Sequence, residues 1–262
     1  MARTPTELLE WDIPQPDLTD IITEDDTPVD NIFSEKQQRL LAESLYTSWK
    51  GPGDEERKFI ALANVGIFSR ADNNPLVPDV LVSLDVELPE ELWEKHHRSY
   101  FVWEYGKPPE VVIEIVSNRK GNEDTDKLNR YARIGVAYYV VFDPDHNLSN
   151  QTLRVYERHG ASYIEREDHW LPEMNLGLLL WEGVYEEKRD LWLRWCELDD
   201  NLIATGAEKV ALERAIAQQE RAIAQQERAI AQQERAIAQQ ERERAERLAA
   251  KLRELGMDPD NL

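Results

Sequence analysis

Between residues 58 and 167 the chain alternates short apolar runs with turn residues. The runs are KFIALANVGIFS, LVPDVLVSL, SYFVWEY, EVVIEIVS, AYYVVFDP and LRVYERHGASYIERE, each bounded by Pro, Gly, Asn or Asp. Their β-branched and aromatic content predicts strands. Between the fourth and fifth runs stands NEDTDKLNRYARIG, a compact helix stopped by Gly135. A strand, a helix and a strand in that order predict a crossover, and hence a parallel or mixed sheet covered by helices. Upstream, SEKQQRLLAESLYTSW places Leu40, Leu41, Leu45 and Trp49 at helical spacing after Ser34 as the N-cap. That helix ends in the turn chemistry of KGPGDEE. Downstream, DLWLRWCELDDNLIATG reads as a last hairpin turning at CELDDN.

A different periodicity takes over after residue 205. ERAIAQQ starts at Glu213 and returns at Glu220, Glu227 and Glu234. Ala, Glu, Gln and Arg are good helix formers and no Gly or Pro interrupts them, so one long helix is expected. A coiled coil asks for two apolar positions per heptad. Ile216, Ile223, Ile230 and Ile237 supply one, with Gln three residues further on, until Ala245, Leu248, Leu252 and Leu255 restore a conventional seam. The helix is therefore read as able to pair weakly, in more than one register, with a solvated spacer as the alternative. The expected organisation is an extended arm over residues 1 to 33, a body over 34 to 205, the long helix over 206 to 256 and a tail over 257 to 262. The expected fold class is α/β, a mixed sheet flanked by helices, with a long C-terminal helix or coiled coil.

Charge changes this picture by where it lies. The net charge is -21, yet residues 206 to 256 carry ten basic and nine acidic groups, which leaves 21 basic against 41 acidic residues up to position 205. So acidic a body repels a polyanion at long range, which argues against loose binding to nucleic acid while leaving room for a local or metal-bridged contact. The single cysteine, Cys196, excludes an internal disulfide and a four-cysteine zinc site, and with the absence of a signal-like or membrane-length apolar run the expectation is a cytoplasmic protein with no membrane association.

Two carboxylates break the apolar pattern. Glu114 sits inside VVIEIVS, on the face shared by Val112 and Val116, and Asp79 follows Pro78 and precedes Val80, Leu81 and Val82. A carboxylate removed from water costs several kcal/mol unless compensated, and two strands carrying one each can share a divalent cation. Mg2+ suits two carboxylates plus substrate phosphate, with Mn2+ as a substitute. Such a metal acidifies water and clamps a phosphodiester oxygen, and a nearby ammonium adds charge to the transition state. Lys127, near the start of the following helix, is the first candidate for that ammonium, with Lys120 and Arg119 in the loop as alternatives. The purely structural readings are a turn aspartate at Asp79, a glutamate paired with Arg130 or Arg133 at Glu114, and an ordinary helix lysine at Lys127.

Other polar positions read as structural. His96 and His97 in WEKHHRSY lack a Cys or further His nearby and read as an exposed turn; Asp143 in VFDPD reads as a turn residue before Pro144. Trp192 and Trp195 read as core, and neither a nucleotide-phosphate loop nor a Ser or Cys nucleophile constellation is apparent.

VPDVLVS, VVIEIVS and DTDKLNRYARIGVAYYVVFDP together resemble the Uma-type family of restriction endonucleases within the PD-(D/E)XK nuclease superfamily, over roughly residues 30 to 185. The resemblance implies a restriction-endonuclease-like fold and Mg2+-dependent hydrolysis of phosphodiester bonds, with DNA as the substrate. It places the motif aspartate at Asp79 and the strand glutamate at Glu114. The superfamily's usual lysine position, two residues after the glutamate, is Val116 here, and Lys127 matches the lysine that Uma-type sequences carry on the next helix. The loop SNRKGNED departs from the Ser-Pro-Ser-Thr common in that family, and Glu43 is the candidate for an accessory acidic position on the first helix. A homo-oligomer, a dimer first, is expected through the fold or the C-terminal helix. The rival expectation is an inactive or weak nuclease-like module used for assembly.

Overall fold

A computed structural model describes residues 31 to 53, 56 to 72, 74 to 117 and 126 to 254. Lys120, Arg119, residues 1 to 30 of the expected N-terminal arm and the C-terminal tail lie outside the described residues, while residues 31 to 33 of that arm are the N-cap and start of a helix. The chain divides into two compact units, one ending at Gly206 and the other beginning at Ala207.

The first unit is built on a six-stranded mixed sheet. In chain order its strands are β1 (Phe59–Ala63), β3 (Val80–Leu84), β5 (Val111–Ile115), β6 (Tyr138–Phe142), β7 (Leu153–His159) and β8 (Ser162–Glu165), arranged in space as β1-β3-β5-β6-β7-β8. All neighbouring pairs are antiparallel except β5 and β6, which run parallel on either side of helix α3 (Leu128–Ile134). That is the crossover the sequence predicts, and Gly135 ends the helix in the left-handed conformation, φ 96°. Two-residue strands β2 (Ile67–Phe68) and β4 (Tyr100–Phe101) form a separate parallel pair. An antiparallel sheet joins β9 (Trp170–Leu171), β10 (Leu176–Tyr185) and β11 (Lys188–Cys196).

Both faces of the main sheet are covered, which is why its central strands are apolar apart from Ser83 and Glu114. Val80, Val82, Val111, Ile113 and Val140 pack on one side with Leu41, Leu45 and Trp49 of α1 (Ile32–Ser48) and with Leu178, Leu193 and Trp195. Leu81, Val112, Val116 and Val141 face the other way, against Tyr131, Tyr139, Ile67 and Tyr100. Each buried Leu or Val stabilises the fold by about 1.5–3 kcal/mol, so this alternation pins the register.

Three expectations need correction. Helix α1 starts three residues earlier than predicted: Asn31, not Ser34, is its N-cap, its side chain accepting from Ser34 N at 2.9 Å, so Ser34 lies inside the first turn. SYFVWEY is a two-residue strand followed by one helical turn, α2 (Val102–Tyr105), because Tyr100 and Phe101 find a short partner in β2 and nothing extends the ladder. The last hairpin turns at Glu186 and Glu187, between Tyr185 and Lys188, and CELDDN only folds back to bridge Cys196 with Leu202. Trp192 and Trp195 are core residues, as expected; Trp195 Nε1 donates to the Leu41 carbonyl at 3.0 Å. Asp143 is likewise a turn residue, accepting from the backbone of Asn147, Leu148 and Ser149.

The described part of the second unit is helical: α4 (Gly206–Glu254) is a continuous helix of 49 residues, all but the first of them in that unit. Among the described residues no helix is long and apolar enough to cross a membrane.

Candidate active site

The two carboxylates are cross-strand neighbours. β3 and β5 pair antiparallel with Val80 opposite Ile113, and one further step in that register sets Asp79 opposite Glu114. Both point to the face shared with Leu81, Val112 and α3, and both are buried, Asp79 at 8 % exposure and Glu114 at 2 %.

Glu114 is compensated from α3. Lys127 Nζ lies 2.8 Å from its Oε2, and the Tyr131 hydroxyl donates to its Oε1 at 2.8 Å. Lys127 and Tyr131 are four residues apart, so one helical face presents both donors to one carboxylate. Burial first, then the negative charge of Glu114, pushes the Tyr131 phenol well above its ordinary pKa, so it remains a proton donor at any working pH. Arg130, a structural alternative for the partner, instead donates to the Asn74 side chain and carbonyl at 2.9 Å.

Asp79 is held by different elements. Its Oδ2 accepts from the backbone N–H of Ile115 on β5 at 2.5 Å, and its Oδ1 accepts from Gln38 Nε2 of α1 at 2.7 Å. Asn64 Nδ2 donates to Gln38 Oε1 at 2.9 Å, which orients the Gln38 amide with its nitrogen toward Asp79. Gln37, one residue earlier, exchanges both of its amide groups with the main chain of Leu193, anchoring this end of α1 to β11. Glu43, expected as the accessory carboxylate, is placed elsewhere: its Oε1 accepts from Thr47 Oγ1 at 2.9 Å and from Gly206 N at 2.8 Å. The helix residue that reaches Asp79 is Gln38.

Thus the structure brings Asp79, Glu114 and Lys127 together and adds Gln38, Asn64 and Tyr131, which the sequence reading missed. The K-x-x-x-Y spacing was a readable signal for Tyr131. The pair of glutamines beside Leu40 and Leu41 was a weaker one for Gln38, since a polar residue next to a buried stripe ordinarily faces solvent.

A mixed sheet with an acidic pair on adjacent antiparallel strands, and a lysine closing it from the next helix, defines an α+β protein with its polar centre at one end of strands β3 and β5. Residues 20–182 match the family model Uma2, described as "Putative restriction endonuclease", and the chain belongs to this family of restriction-endonuclease-like nucleases. No curated protein matches the sequence.

Proposed function

We propose that the protein is a metal-dependent endonuclease that hydrolyses phosphodiester bonds in DNA, with Asp79 and Glu114 as the ligands of Mg2+, or of Mn2+ in its place. The observation that carries this reading is the buried cross-strand pair itself, closed by Lys127 at 2.8 Å from Glu114. The donor set fits a hard cation, because it is made of carboxylate oxygens only. Each of those oxygens has two lone pairs, so accepting a hydrogen bond does not by itself bar it from a cation.

When bound, a divalent cation supplies Lewis acidity toward water and phosphate. The chain's own residues do the positioning. Gln38 and the Ile115 N–H set the plane of the Asp79 carboxylate; Tyr131 holds one oxygen of Glu114 and keeps the other turned toward Lys127. Lys127, with about a quarter of its side chain exposed, keeps a positive charge at the rim, where it can orient an attacking water or meet a scissile phosphate.

Plasmid cleavage by the purified chain in Mg2+ tests the assignment. Asp79→Asn and Glu114→Gln are each expected to abolish cleavage, and unchanged cleavage by either would overturn it. One observation favours a second reading, an inactive nuclease-like module: Glu114 is already neutralised by Lys127 without a metal. That reading requires calorimetry to detect no Mg2+ binding.

A further inference from the structure

Before β4 the chain makes a tight exposed turn, Glu94-Lys95-His96-His97-Arg98. Glu94, His96 and His97 each bring one ligand atom to within 4.8 Å of the others. His96 Nε2 is 3.0 Å from Glu94 Oε2. His97 Nδ1 lies 2.6 Å from the carbonyl oxygen of Glu91, an atom that can only accept, so in the neutral ring the proton is on Nδ1 and the lone pair on Nε2. Metal-binding histidines are oriented in this way, one ring nitrogen donating to a backbone carbonyl while the other faces the ion. The turn is braced around these groups: Glu94 N and His97 N donate to the carbonyls of Glu91 and Glu94, and Arg98 Nε donates to the Trp93 carbonyl at 2.9 Å.

We propose that Glu94, His96 and His97 form a second cation site, for a transition metal of the Zn2+ class. Two imidazole nitrogens and one carboxylate oxygen suit Zn2+ or Co2+, whereas Mg2+ takes oxygen. A four-coordinate ion at bond lengths of about 2.0–2.2 Å sets its ligand atoms about 3.4 Å apart. The Glu94–His96 pair already stands near that separation, and the third donor has to close by little more than an ångström from the 4.8 Å limit, through rotation of partly exposed side chains. Three protein donors leave a fourth position open at the surface, for water or for a donor from another molecule. The turn holds neither a Cys nor a third His, and its third donor is the carboxylate of Glu94, two residues before His96.

The test uses the full chain without an affinity tag, freed of metal by a chelator. Zn2+ binding is followed by calorimetry in excess Mg2+, and Co2+ binding by visible absorption. The expected result is one Zn2+ per chain that Mg2+ does not displace, a Co2+ spectrum of low coordination number, and at least a tenfold loss of affinity in His96→Ala, His97→Ala and the isosteric Glu94→Gln. Asp79→Asn should leave Zn2+ binding intact. Absence of Zn2+ binding, unchanged affinity in the His variants, or loss of binding in Asp79→Asn would each overturn the proposal. Absence of Zn2+ binding, or unchanged affinity in the His variants, leaves the reading of Asp79 and Glu114 as Mg2+ ligands untouched.

Discussion

Tyr131 donates its hydroxyl to Glu114 Oε1 at 2.8 Å, and both residues are buried away from water. Removing the phenol oxygen leaves a carboxylate oxygen at 2 % exposure short of its charged hydrogen bond. A bond of that kind contributes about 1.5–3 kcal/mol, so Tyr131→Phe is expected to lower the unfolding free energy by that amount. Urea unfolding monitored by circular dichroism measures it. If Glu114 is a Mg2+ ligand as proposed, the same variant should also weaken Mg2+ binding, because one of the two groups that orient the carboxylate is lost. An unchanged urea midpoint would show that the bond contributes nothing.

Lys127 and Glu114 make a separable prediction. Lys127→Met leaves the Glu114 charge buried without its cation, a situation that costs about 3–5 kcal/mol when both partners are buried. Here the lysine is about a quarter exposed, so solvent screening reduces the expected cost to about 1–3 kcal/mol in the absence of divalent ions. Glu114→Gln in the Lys127→Met background removes the stranded charge and should recover most of the loss. A double-mutant cycle on urea midpoints decides this, and additive effects would mean that the two groups do not interact.

How much of this was readable in advance depended on whether a local pattern or a distant partner decides the structure. Strands β3, β5 and β6 were legible because they are buried on both faces and bounded by Pro, Gly or Asp, so local composition and tertiary context agree. Asp79 and Glu114 were legible for the converse reason, as charges in runs that allow none without a partner. SYFVWEY was misread because a two-residue ladder with β2 and one helical turn share the composition of a longer strand. β10 was missed altogether: LGLLLWEGVY has no clean alternation, and its pairing with both β9 and β11 makes it a strand. Gln38 could not be assigned from its own neighbourhood, since its partners Asn64 and Asp79 are 26 and 41 residues away.

Tyrosines set an alkaline limit to stability. Tyr100, Tyr105, Tyr131, Tyr138, Tyr163 and Tyr185 all have pKa values raised above the ordinary 10, burial being the largest cause in each, and Tyr185 is pushed up to about 12. Below the unfolded value both states hold the proton and the shift has no effect on the pH dependence. Above about pH 10 the unfolded chain loses protons that the folded chain retains, so stability falls as pH rises through and beyond that point. Unfolding free energy is therefore expected to be level with respect to these groups up to about pH 9 and to drop steeply above about pH 10. Tyrosinate absorbance should appear together with loss of circular dichroism. Gradual ionisation in a chain that stays folded would contradict the burial of these side chains.

The long helix carries the last prediction. Ile216, Ile223, Ile230 and Ile237 recur every seven residues along α4, and each is about half exposed in the single chain. Ala, Glu, Arg and Gln at the remaining positions support the helix without any partner, so the isoleucines are not needed to form it. They are the apolar side chains of the repeats that association with a second copy would bury, at about 1.5–3 kcal/mol for each one fully covered. With Gln rather than an apolar residue three positions on, the resulting coiled coil should be weak, and four repeats should be the reason it forms at all. Placing Glu at both Ile223 and Ile230 in the full chain brings like charges into that seam. Sedimentation velocity should then show a monomer where the unaltered chain self-associates, with helical circular dichroism nearly unchanged. If the two chains sediment alike, α4 is a solvated spacer, and any oligomer forms through another surface.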